Sequence, residues 1–361
     1  MKFKLKRIDW YIIKQFLGTY VFAIALIISI SVVFDINEKI DKFLNPDVPL
    51  KAIIVDYYLN FIPYFATLFS PLFTFIAVIF FTSKLADRSE IIAMLASGMS
   101  FRRLMLPYAV SATIIAIVTF ILNAYIIPPA NETRIDFQNK YIRNKKVDYV
   151  KNAQLEIEPG VIAYFDSYDA RSNMGYRFSL EHFEDKKLIS RLTAKSIKYD
   201  SLYQWTVIDY MIRDFDGMRE HITEGSRKDT TLTIVPSDFL ISVNDCETMT
   251  TPELNTYINR QKKRGIGNIQ TFQIEYHKRF ATIMAAFILT SIGASLSSRK
   301  IKGGMGMNIG IGLALSFSYI LFMTVTSTFA INGYVSPAVA AWIPNIVYTF
   351  IAIFLYQKAP R

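Results

Sequence analysis

A bundle of six membrane-spanning helices, interrupted once by an all-β domain, is the fold class this sequence predicts. Three observations predict it. Of the 361 residues, 52% are hydrophobic, and they gather into six runs of roughly 20 residues, the length a helix needs to cross about 30 Å of hydrocarbon. Between the third and fourth runs lies a stretch of about 140 residues, enough for one independent domain, where short apolar segments are set off by turn residues. The net charge of +10 is also unevenly placed. Residues 131–270 carry 21 basic and 21 acidic side chains, so the whole excess sits beside the apolar runs.

The first run covers about Tyr11–Phe34, behind Lys2, Lys4, Lys6 and Arg7. A cleaved leader would have a shorter apolar core followed by small residues. Asp35-Ile36-Asn37-Glu38-Lys39 follows instead, so the run reads as an uncleaved span. The second covers about Tyr57–Thr82 and contains Pro63 and Pro71, which kink a membrane helix and free a carbonyl. The third runs from about Leu104 to Ile127 and is expected to stop at Pro128-Pro129. The fourth, fifth and sixth cover about Phe280–Leu296, Met307–Ile331 and Pro337–Tyr356.

Orientation follows from the short loops. Basic residues collect at the N-terminus, between spans two and three (Lys84, Arg88, Arg102, Arg103), between spans four and five (Arg299, Lys300, Lys302) and at the C-terminus (Lys358, Arg361). The loop between spans five and six has none. The positive-inside rule then places both termini in the cytoplasm and the inserted domain, about 131–268, on the far side, which in a bacterium is the periplasm. Charge concentrated at membrane flanks argues for topology signals and anionic lipid, not for a nucleic-acid face.

Within the insert, 154–158, 161–165, 176–180 and 202–210 read as short strands separated by Pro159-Gly160, Ser172-Asn173-Met174-Gly175 and Asp216-Gly217. That spacing suggests a sandwich or jelly roll. A helix of about 251–264 closes the domain. Thr251 is placed to cap it, Pro252 takes its first turn and Gly265 follows its basic end.

Chemistry is sparse. The single cysteine, Cys246, excludes an internal disulfide and a cysteine-based metal site, and the three histidines (His182, His221, His277) have no ligand spacing. No catalytic or metal constellation is found, and no cofactor is expected. The glycine cluster Gly303-Gly304-Met305-Gly306 lacks the GK[ST] ending of a phosphate-binding loop, so any ATP would be bound by another subunit. Gly306 and Gly310, four apart on the fifth span, share a face that permits close helix approach, either as a static seam or as a sliding one.

The segment between spans two and three carries most information. Ser89 can cap a short helix, within about 86–98, with an apolar side of Ile91, Ile92, Leu95 and Ala96 and a terminator at Gly98. It could lie on the membrane or dock in a partner's groove. Arg88-Ser89-Glu90, followed by apolar residues and then Ala96-Ser97-Gly98, resembles the coupling-helix signature of the LptF/LptG permeases of lipopolysaccharide export. The order of parts resembles them too, and so does the opening Ile8-Asp9-Trp10-Tyr11-Ile12, which is closer to the G-type. The resemblance covers essentially the whole chain.

The resemblance implies a permease subunit, not itself an enzyme, in the bacterial inner membrane. It would pair with a second LptF/LptG-type permease and an LptB-like dimer of cytoplasmic ATPases, and hand lipopolysaccharide to periplasmic LptC/LptA-like jelly-roll proteins. Arg88, Ser89, Glu90, Ile91, Ala96, Ser97 and Gly98 would form the ATPase-coupling element, with Glu90 facing a basic residue. Spans one and five would line a lateral opening. A phosphate-bearing lipid asks for an apolar cavity with cations near its rim, for which Lys39, Lys42, Arg134, Lys278 and Arg279 are candidates. The pattern departs from some relatives at Asp35 and Asn308, where a basic residue is expected, so Asn308 is carried as the equivalent contact. The alternative reading is a membrane-anchored periplasmic receptor or scaffold without transport, which leaves six spans unexplained.

Overall fold

The computed structural model of the chain describes residues 5–143, 149–185, 187–217, 219–236, 243–263, 269–299 and 304–359. They form two compact units. The first comprises Met1–Ile142, Glu247–Thr251 and Gln270–Arg361, and the second Arg143–Cys246 and Pro252–Ile269.

The first unit contains six helices long and apolar enough to span a membrane. Helix α1 runs Arg7–Phe43, about 55 Å at 1.5 Å per residue, well beyond the apolar run that predicts it. The second span is not one helix. A short α2 (Leu50–Ala52) leads through a π-helical turn, Ile53–Tyr58, into α3 (Leu59–Leu68), and the chain breaks at Phe69 before α4 (Ser70–Asp87). Pro71 lies in the first turn of α4, where a missing N–H costs nothing, so the break falls just before the proline.

After the short α5 (Glu90–Ala96), α6 (Phe101–Ile121) passes through a π-helical turn, Leu122–Ile126, into α7 (Ile127–Phe137), and a further π-helical stretch, Gln138–Arg143, follows. The expected stop at Pro128-Pro129 is therefore overturned, as is a domain start at Asn131. Both prolines occupy the first turn of α7. The π-turn ahead of them absorbs the register change, and their lacking donors fall among groups with no intrahelical acceptor.

Helix α8 (Thr251–Lys263) precedes the last three spans, α9 (Gln270–Ser297), α10 (Gly304–Ile331) and α11 (Pro337–Gln357). The expected terminator Gly265 lies outside the described residues. Helices α4 and α9 form the centre of the bundle: 67% and 56% of their most apolar windows are buried, against 6% for α1 and 28% for α10. Close approach at the centre depends on two glycines that the sequence reading does not single out. A Cβ on Gly293 would lie 2.8 Å from Val78 Cγ1, and one on Gly312 would collide with Ile79 Cδ1.

The second unit carries one six-stranded antiparallel sheet in which consecutive strands pair: β1 (Tyr149–Glu158), β2 (Val161–Asp169), β3 (Met174–Glu184), β4 (Lys187–Ser201), β5 (Gln204–Asp216) and β6 (Arg219–Thr231). The all-β expectation holds, with a meander in place of the paired Greek keys of a two-sheet jelly roll. Phe165 on β2 and Trp205 on β5 have ring centroids 5.9 Å apart. Three strand spacings of about 4.8 Å separate those strands in a flat sheet, so the sheet curls around its own core of Phe165, Tyr168, Phe178, Trp205 and Val207. Leu202, expected in a strand, sits at the β4–β5 turn and is 76% exposed.

Candidate functional site

Chemistry-bearing side chains of the first unit gather at two ends of the bundle. At one end α5 connects α4 to α6. Ser89 occupies the position before its first residue, but with φ of 59° and no side-chain cap bond, so the cap expected of it is not made. The helix is closed instead at its other end. Gly98, at φ +87°, donates to the Leu95 carbonyl at 3.0 Å and Met99 to the Met94 carbonyl at 3.3 Å, the paired bonds of a left-handed glycine terminator. Ile91 is fully buried beneath the helix, whereas Ile92 is 54% exposed. Ala96, Ser97 and Arg88 are also exposed. The apolar side foreseen in the sequence is thus split between an inner anchor and an outer face.

Glu90 is half-buried and accepts a bond from the Tyr11 hydroxyl at 3.2 Å. Two residues nearer the N-terminus than Tyr11, Asp9 is gripped bidentately by Arg103 at 2.8 and 2.5 Å and is 1% exposed. Two planar bonds between opposite charges hold geometry better than a single contact. They fix the start of α1 against the start of α6, and α5 hangs from that scaffold. Tyr11, Asp9 and Arg103 are missed as a group by sequence reasoning, since 94 residues separate the ion pair.

At the opposite end the expected cations take different surroundings. Lys39 is paired with Asp35 one turn earlier on α1 and reaches Tyr57 Oη at 2.6 Å. Tyr57 and Tyr58 both donate to the Asp35 carboxylate, at 3.1 and 3.0 Å. The acidic departure at Asp35 is therefore neutralised within the chain. Lys42 is exposed. Arg134, 9% exposed, lies 4.5 Å over the Tyr64 ring and donates to Asn131 Oδ1. Arg279, 4% exposed, donates to Glu275 at 3.4 Å, Thr251 Oγ1 at 3.0 Å and the Met249 carbonyl at 2.9 Å, and so secures the strap Glu247–Thr251. The Asn131 amide donates to the Glu247 carbonyl at 3.4 Å.

Asn308 is elsewhere. It is 3% exposed and donates to Ser83 on α4 at 3.1 Å, inside helix packing near the α5 end. It is thus engaged by α4 and not by the groups around Lys39. Gly306 and Gly310 are exposed, and an added Cβ on either meets nothing within 4 Å, so among the described residues they pack against no neighbour.

A cavity of about 360 Å³ opens among α3, α4, α7, α9, α10 and the strap. Its deep walls are apolar (Leu68, Ile320, Met323) and its rim carries Glu247, Glu275, Lys278 and Arg279. Glu247 is pushed above the usual carboxylate range, first by burial and then by the charge of Glu275, with Arg134, Lys278 and the Tyr64 hydroxyl opposing. Among the described residues no group of three His, Cys, Asp or Glu side chains is placed to hold a metal.

No curated protein matches the chain. The family model of the lipopolysaccharide export system permease LptF/LptG matches residues 10–358, which takes in all six spans, α5 and the inserted sheet. Members of that family are permease components, and with this extent of match the chain belongs to the LptF/LptG family.

Proposed function

We propose that the chain is one permease subunit of an ATP-driven exporter that extracts lipopolysaccharide from the inner membrane and passes it to a periplasmic bridge. The observation that carries this reading is the family match over residues 10–358. The basic loops support an orientation with both termini and α5 in the cytoplasm and the sheet in the periplasm. There the sheet would meet LptC/LptA-like proteins, and a second permease would complete the lipid path. The G-type remains the preferred assignment on the opening Ile8–Ile12 segment.

Helix α5 is the coupling element in this reading. Its outer face, Ile92 and Ala96 with Arg88 and Ser97, suits a groove in an LptB-like ATPase. The Glu90 carboxylate, held by one bond to Tyr11, is available to a basic residue there. The sparsely covered α1 and α10 suit a lateral opening against the second permease, with Gly306 and Gly310 on the face that would meet it. Of the expected cations, Lys42 and Lys278 have no ion-pair partner among the described residues, and Lys42, exposed on α1, is the one assigned to the phosphates of the cargo, since Lys39, Arg134 and Arg279 are already engaged.

The test is Glu90→Arg in the complex with its ATPase. The variant is expected to reach the membrane and bind its partner permease while lipid-stimulated ATP hydrolysis falls at least tenfold, an effect of about 1.4 kcal/mol or more. Unchanged hydrolysis would remove α5 from the coupling path.

A further inference from the structure

The rim of the cavity does not suit a purely anionic ligand. Glu247, Glu275 and Arg279 line it, and among the described residues the bonds to both carboxylates are long. Glu247 Oε1 accepts from the Tyr64 hydroxyl at 3.5 Å and Glu275 from Arg279 at 3.4 Å. A phosphate brought to this rim would meet Glu247, which has no cation at ion-pair distance among the described residues, as well as the cations. Lys278 lines the same rim, half-buried, with no ion-pair partner among the described residues. A cation with no ion-pair partner among the described residues, Lys278, beside Glu247 and the Glu275–Arg279 pair, is the complement of a group that carries a phosphate and an ammonium together.

Depth and size point the same way. Along α10 the lining extends from Ile331 at the rim to Tyr319, roughly 18 Å at 1.5 Å per residue, about half of a hydrocarbon core of some 30 Å. That is the depth of one leaflet. The volume of about 360 Å³ is at the small end of ligand sites, enough for one acyl chain and too small for a lipid with several. Thr324 and Thr328, exposed on α10, leave that side open toward the membrane.

We propose that this cavity holds one zwitterionic phospholipid, with its ammonium between Glu247 and Glu275, its phosphate on Lys278 and one acyl chain along α10 beside Met323 and Ile320. This lipid is a resident of a single permease subunit and is separate from the exported cargo. The strap that supplies Glu247 is itself secured by Arg279, so an occupied cavity ties α9, α10 and the strap together.

The experiment is a thermal-shift titration of the full chain, purified with its partner subunits in mild detergent, against phosphatidylethanolamine, phosphatidylglycerol, lipid A and inorganic phosphate. Phosphatidylethanolamine is expected to stabilise with a midpoint about tenfold below that of phosphatidylglycerol, the scale of one charge-assisted contact, and inorganic phosphate is expected to have no effect. Glu247→Gln is expected to bring the two phospholipids within about threefold of each other. Ser327→Trp, which fills the cavity from α10 without touching the rim charges, is expected to abolish both responses. Equal midpoints for the two phospholipids in the unmodified protein would overturn the proposal. So would a preference that survives Glu247→Gln, an equal response to inorganic phosphate, or lipid A competing for the Ser327→Trp-sensitive site.

Discussion

The two ends of the helical bundle handle charge in opposite ways. At the α5 end the Asp9–Arg103 ion pair, its carboxylate buried, joins residues 94 apart in sequence and serves the scaffold, while among the described residues Glu90 is left with a single neutral donor. At the other end the cations are largely consumed locally. Lys39 is paired with Asp35, Arg279 with Glu275 and the strap, and Arg134 with Asn131 and the Tyr64 ring, which of the five expected lipid contacts leaves Lys42 and Lys278 without an ion-pair partner among the described residues. The difference teaches that a basic residue near a membrane boundary is not by itself a lipid contact. What matters is whether the chain already supplies its counter-charge, because a buried pair is costly to break and a solvated one is not.

The sharpest way to break the comparison is to remove the scaffold pair. Arg103→Ala leaves Asp9 buried and unpaired, with an expected loss of about 3 kcal/mol, read as a fall in the unfolding midpoint of the detergent-solubilised protein. Arg103→Ala combined with Asp9→Ala is expected to recover much of that loss. If the single and double variants unfold alike, the pair is not structural.

A smaller effect separates the packing glycines from the exposed ones. Gly293→Val drives a branched side chain against Val78, itself rigid at its Cβ, and is expected to cost about 1–3 kcal/mol. A Cβ added at Gly310 meets no neighbour among the described residues. Gly310→Val should leave the subunit's own midpoint within about 0.5 kcal/mol, allowing for helix propensity, and lower only the yield of complex with the second permease. An equal loss of stability in both variants would place Gly310 in an intrachain seam.

Glu247→Gln sharpens the picture at the rim. A carboxyl whose folded-state value is raised is penalised when ionised, so the penalty is complete above the folded value and disappears as pH falls below the unfolded carboxylate range. In the absence of added lipid, the variant is expected to melt higher than the unmodified protein at pH 8 and to converge with it near pH 4. A gain that persists at low pH would show that the group is not the origin of the difference.

The smallest expected effect is that of Tyr11→Phe. Loss of one exposed bond to Glu90 is worth about 0.5–1 kcal/mol. It should leave the fold intact and change the ATPase stimulation by less than about fivefold, as measured in the assembled complex. A loss as large as that of Glu90→Arg would make Tyr11 itself part of the coupling contact.

The sequence by itself determined the six spans and the all-β nature of the insert. Apolar runs of membrane length have one stable outcome in lipid, where every backbone group must be satisfied within a helix. Turn residues such as Pro159-Gly160 and Asp216-Gly217 mark hairpins for equally local reasons. The terminator at Gly98 was legible for the same cause. Strand β6 was not, because Arg219–Thr231 is almost wholly polar and exposed. It is a strand only because β5 offers it a ladder, and no apolar alternation announces an edge.

Only the tertiary structure decided the rest. The prolines at 128 and 129 became the first turn of a helix because a π-turn ahead of them changed the register. Lys39, Arg134 and Arg279 proved occupied, and Asn308 fell into the α4–α10 contact, because counter-charges and donors arrive from other helices. The paired bonds of Arg103 to Asp9 and the rim of Glu247, Glu275 and Lys278 depend on which helices become neighbours. Local pattern fixes what each segment is, whereas electrostatic partners are fixed by packing across dozens to hundreds of residues, and a linear reading does not contain that information.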